Sequence, residues 1–126
     1  MIQEYSFNSP GERNGYRLFP DAMESDELFA FHGTSETAAF LILKDGFSFA
    51  GSLKSLSFAK SSPLALRYAC EKRTKMSPRG CVIAVRFKTL EKPSIEVETS
   101  IIHVRALNDQ PEIVGTCYVP AEYRYI

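Results

Sequence analysis

No run of apolar residues in this chain approaches the roughly 20 needed to cross a bilayer as a helix. A helical membrane protein is therefore not expected. Neither sign of charge is in excess, since 15 Lys and Arg stand against 15 Asp and Glu. A formal net charge of zero gives no long-range pull toward nucleic-acid phosphate or an acidic membrane. Lys72, Arg73, Lys75 and Arg79 do cluster, and they read as one solvated loop. Cysteine is scarce and odd in number, at Cys70, Cys81 and Cys117, with spacings that fit no metal site. Buried free thiols in a reducing compartment are the plain expectation. Residues 1–5 have neither the basic start nor the apolar stretch of a secretory signal. A cytoplasmic setting is expected, with delivery into a target cell by a signal-free route left open.

What is present suits one globular domain over residues 1–126, since apolar residues at 44% and charged residues at 24% are ordinary values. Residues 1–14 are polar, with Pro10-Gly11 as a turn, and form an irregular lead-in. Residues 15–19 predict a short strand stopped by Pro20, and the acidic residues 21–26 a loop. Residues 28–32 predict a strand, followed by a helix capped by Thr34 or Ser35 and ended at Gly46. The body of that helix, residues 38–43, is apolar all round and so predicted buried. Residues 47–54 are a loop or strand with two aromatics, and 55–59 a strand. Ser62-Pro63 starts a second helix, with the serine as cap and Leu64, Ala65, Tyr68 and Ala69 on one face. Residues 81–87 are the strongest strand, β-branched and nearly uncharged. Shorter strands follow at 94–97 and 101–105, then 112–119 and 123–126. Two helices early and strands late predict an α+β domain with mainly antiparallel sheets.

Few residues offer chemistry. His32 ends a strand and precedes Gly33-Thr34. A lone histidine is ordinarily structural, but a glycine beside it lets a flat ligand lie against the backbone. Thr34 and Ser35 place hydroxyls at a helix start, where a ribose or phosphate could bind. Tyr68 by itself reads as core, and Glu112 as a solvated strand-edge carboxylate. His103 lies among apolar residues with no evident partner and reads as structural.

Taken in order, these residues resemble the catalytic domain of ADP-ribosyltransferases of the diphtheria-toxin and poly(ADP-ribose) polymerase type. Such domains carry His-Gly-Thr or His-Gly-Ser at a strand end, as at His32-Gly33-Thr34. They carry Tyr-Phe-Ala with a tyrosine ten residues after its Phe, as at Ser57-Phe58-Ala59 and Tyr68. They also carry a glutamate heading a late strand, as at Glu112-Ile113-Val114, with Tyr123 at the usual distance. The resemblance implies a split fold of two packed, mainly antiparallel sheets with two short helices. It implies NAD as co-substrate and no metal. In it His32 bonds the adenosine ribose, the Gly33 backbone grips the nicotinamide carboxamide and Tyr68 stacks on the nicotinamide. Thr34, Ser57 and Phe58 complete the cofactor pocket, and Glu112 bonds the 2′-hydroxyl of the nicotinamide ribose.

Two positions depart from the pattern: Ser57 replaces the first aromatic, and Ala65 a serine that bonds the carboxamide. Phe47 or Phe49 is a candidate for the missing ring.

The chemistry fits these residue types. Breaking the nicotinamide–ribose bond builds positive charge on the sugar, which a fixed carboxylate stabilises without reorganising. The expected activity is transfer of ADP-ribose to a protein, a nucleic acid or a small molecule. Rifamycin-modifying transferases are similarly short, so an antibiotic is one such acceptor. A non-catalytic NAD or ADP-ribose binding module is the alternative, and an RNA 2′-phosphotransferase a more distant one. Gln110-Pro111-Glu112 and Ser55-Leu56-Ser57 are also similar to motifs of the arginine-modifying toxin branch, and Glu122 is a second candidate carboxylate.

Overall fold

The β-branched run at residues 81–85 lies at the heart of one mixed sheet. The computed structural model describes residues 2–49 and 54–125. Its strands are β1 (Gln3–Tyr5), β2 (Phe29–Ser35), β3 (Leu56–Ala59), β4 (Gly80–Arg86), β5 (Ile95–Val97), β6 (Ile101–Val104) and β7 (Glu112–Val119). They pair in the order β1-β7-β4-β2-β3-β6-β5. Three helices complete an α+β domain: α1 (Asp21–Glu24), α2 (Glu36–Asp45) and α3 (Ser62–Glu71).

Strand β4 is buried from Gly80 to Val85 because both faces of the sheet are covered. Alternate side chains of a strand point to opposite faces, and the packing follows that rule. Phe31, Val82 and Ala84 meet Ala65, Leu66 and Ala69 of α3 on one face. Ala30, Ile83 and Val85 meet Phe58, Phe87 and Ala39 of α2 on the other. Cys81 and Cys117 are buried free thiols on opposite faces, both pushed up to about 12 by desolvation, whereas Cys70 is half-buried.

The pairing of the strands is uneven. Strands β2 and β4 are in register from Phe29–Arg86 through Ser35–Gly80, and β3 and β6 from Leu56–Val104 through Ala59–Ile101. Between β2 and β3 a single pair, Phe31–Ala59, joins the two halves of the sheet. Beyond it, among the described residues, β2 pairs only with β4, and β3 only with β6.

Several expectations are corrected. Among the described residues there are three helices, not two, and β1 runs parallel to β7. The lead-in thus contributes an edge strand. Residues 15–19 make no strand because Glu24 takes their backbone donors: its Oε2 accepts from Leu18 N at 3.2 Å and Phe19 N at 3.0 Å. The same oxygen accepts from Ser62 Oγ at 2.5 Å, so Ser62 is a buried tie and Ser61 occupies the N-cap of α3. Residues 123–125 form no strand; the Tyr123 hydroxyl donates to Pro10 O at 2.8 Å, holding the tail against the lead-in. The body of α2 is not buried all round. It rests one stripe on the sheet, leaving Phe40 67% and Leu41 54% exposed. Ser35 does cap α2, accepting from Ala38 N at 3.2 Å, and Gly46 ends it at φ 80°. Within the aromatic stretch 47–54, residues 50–53 lie outside the described residues.

Candidate functional site

Where β2 and β3 diverge, two hollows open, both lined by His32, Gly33, Ser57 and Lys72. The smaller, of about 330 Å³, adds Tyr68 from α3 and Ile101 and His103 from β6. The larger, of about 670 Å³, adds Thr34, Leu41 and Phe47. Together they make a cleft of the size that takes a small organic ligand. Lys72 is the one permanently charged side chain among the described residues lining either hollow.

His32 spans the gap between the strands. Its Nδ1 lies 3.1 Å from the Ser57 carbonyl, and a carbonyl can only accept, so Nδ1 carries the proton. The neutral ring then presents Nε2 as an acceptor, suited to a sugar hydroxyl. Phe47 and Phe58 pack edge-on against it at 5.2 and 5.9 Å. Desolvation holds the His32 pKa below its usual 6.5, opposed by the Ser57 bond and aided by the nearby Lys72 cation. Below 6.5 the unfolded chain binds a proton that the folded chain resists, so stability falls as pH drops from there toward the folded pKa. His32→Gln is expected to flatten that region of a melting-temperature profile between about pH 5 and 8.

Gly33 is required by packing as much as by any ligand. A Cβ there would lie 1.9 Å from Ala65 O and 2.7 Å from Ala69 N, so α3 rests directly on the strand backbone. Gly80, on the neighbouring strand, serves the same purpose: a Cβ there would lie 2.7 Å from Ala69 O. This close approach brings Tyr68 and Lys72 to the cleft.

Tyr68 is 40% exposed and lines the smaller hollow, so it is a cleft residue and not core. Thr34 lines the larger hollow and is buried. Phe58 is fully buried beneath His32 and supports the cleft without lining it. Phe47 does line the cleft.

Glu112 is not brought to this cleft. It pairs with Arg86, which in turn faces Phe29, three residues from His32 and two strands away. That separation is roughly 10 Å along the strands and roughly 10 Å across them. Alternation along β4 also turns Arg86 to the face opposite Ile83 and His32. Glu112 instead lines a separate hollow of about 360 Å³ with Arg86, Lys88, Lys92 and Gln110. Glu122 is exposed just after β7 and lines neither hollow of the cleft.

His103, expected to be structural, has two polar partners. Ser57 Oγ lies 3.0 Å from its Nδ1, and Glu98 Oε1 lies 3.4 Å from its Nε2. The missed signal was spacing: a glutamate five residues before the histidine, across a tight turn, can fold back onto it. A search for similar proteins yields neither a protein-family model nor a curated protein that matches this chain.

Proposed function

We propose that this chain is a mono-ADP-ribosyltransferase that binds NAD across the β2–β3 gap and transfers ADP-ribose to an acceptor. One observation carries the reading: His32, Gly33 and Tyr68, far apart in sequence, line one small hollow. In this reading the single-pair junction is the split between two sheets of the transferase fold. The nicotinamide lies in the smaller hollow against Tyr68, where ring stacking contributes about 0.5–1.5 kcal/mol beyond burial. The adenosine end occupies the larger hollow, with a ribose hydroxyl donating to His32 Nε2. Lys72, common to both, faces the pyrophosphate. Glu112 makes no direct contact with the ribose.

A second reading, a module that binds NAD or ADP-ribose without turnover, draws on a different observation. No Asp or Glu is among the described residues lining either hollow. Calorimetry with NAD, together with nicotinamide release in the presence of a cell lysate and labelled NAD, separates the two. Binding with label transferred to an acceptor is the expected result. Binding with no nicotinamide over hours selects the module, and absence of binding ends both.

A further inference from the structure

Ser57 and His103 line the smaller hollow, and Glu98 stands behind His103, outside the lining. The Glu98 carboxylate stands 3.4 Å from His103 Nε2, so its negative charge favours the neutral tautomer that carries its proton on Nε2. Nδ1 is then bare and accepts from the Ser57 hydroxyl, 3.0 Å away. The order is hydroxyl, imidazole, carboxylate, the polarity in which a base draws a proton from an alcohol. Ser57 is exposed and lines both hollows, so its oxygen meets whatever enters. Its carbonyl meanwhile accepts from His32, which fixes the residue in place between the two imidazoles.

We propose that Ser57, His103 and Glu98 form a proton relay that activates a hydroxyl acceptor for ribosyl transfer; this rests on the NAD-cleaving reading above. The C1′–N bond breaks with its electron pair passing to the pyridinium nitrogen, and neutral nicotinamide leaves. The acceptor oxygen bonds to C1′ and gives its proton to Ser57 Oγ as the serine proton moves to His103 Nδ1. One positive charge disappears from the nicotinamide and one appears on the imidazole, where Glu98 faces it. The acceptor class is therefore an alcohol or water, whose proton has to be removed.

Glu96 stands opposite His103 on β5 but is held by Arg105 at 2.6 Å. Tyr68 of α3, Lys72 just beyond that helix and His32 of β2 line the same hollow as His103.

The test follows nicotinamide release, and methyl-ADP-ribose formation with methanol as the hydroxyl probe, against pH. Wild-type kcat should fall as pH drops through the imidazole range. His103→Gln should lower kcat about 100-fold and abolish that acid limb, with the Kd for NAD by calorimetry within about twofold of wild type. Ser57→Ala should lower kcat likewise. Glu98→Gln, at an exposed position where folding is not at stake, should lower kcat while leaving the Kd for NAD unchanged. Wild-type kcat and an unchanged limb in His103→Gln, or wild-type kcat in Glu98→Gln, would overturn the relay while leaving NAD cleavage standing. Loss of NAD binding in His103→Gln would also overturn it. A wild-type protein that binds NAD without turnover ends the relay and selects the binding module; one that does not bind NAD ends the functional reading itself.

Discussion

Gly33→Ala is expected to destabilise the protein by about 3 kcal/mol or more, the upper end of what overpacking costs. The reason lies in what the new methyl would meet. At 1.9 Å from Ala65 O, 2.7 Å from Ala69 N and 2.9 Å from the Ala65 carbonyl carbon, it would collide with helix backbone, not with side chains that can turn aside. Helix α3 would have to lift from β2. That movement would withdraw Tyr68 and Lys72 from the cleft and open the packing of Ala65, Leu66 and Ala69 against Phe31. A drop of roughly 10 °C in melting temperature is the corresponding thermal shift. Gly11→Ala is the control, since nothing lies within 4 Å of a Cβ there. Equal melting temperatures for wild type and Gly33→Ala would show that α3 can yield without cost.

The second large effect is a contrast between two substitutions. Tyr68→Ala should weaken NAD binding about tenfold or more, from lost stacking and lost apolar contact with the nicotinamide, and should depress nicotinamide release accordingly. Its effect on stability should be small, because the ring is 40% exposed. Tyr68→Phe should keep most of the affinity. Glu112→Ala should leave both binding and release near wild type, because its carboxylate lies in another hollow, beside Arg86 and Lys92. Calorimetry and a nicotinamide assay on the three variants decide the matter. The reverse pattern, with Glu112→Ala inactive and Tyr68→Ala unaffected, would return the ribose to the Glu112 side of the sheet and remove the basis for the NAD pose described here.

Much of the fold was legible because it depends on local rules. The strand at residues 80–86 declares itself by β-branched composition, α2 by its serine cap and terminal glycine, and α3 by Ser-Pro at its start. The failures share a physical origin in distant partners. Residues 15–19 look extended, yet Glu24 satisfies their N–H groups. Residues 21–24 look like loop but form a short helix held by that same glutamate and Ser62. The parallel pairing of β1 with β7 joins residues more than a hundred apart, which no local pattern encodes.

The candidate site divides in the same way. His32, Gly33 and Tyr68 could be named from motif spacing because each sits at a fixed place on an element whose boundaries are local. Sequence order put Glu112 with them for the same reason, as the acid at the head of a late strand.

What the amino-acid sequence determined by itself was the central strands and the two longer helices, and hence that a histidine, a glycine and a tyrosine are candidates for one cleft. Only the tertiary structure decided which late strand borders that cleft. It is β6 that pairs with β3, while β7 pairs with β4 on the far side of β2. Strand order is set by burial of the two faces of a whole sheet, a sum over long-range contacts. For that reason His103 meets Ser57, and Glu112 does not.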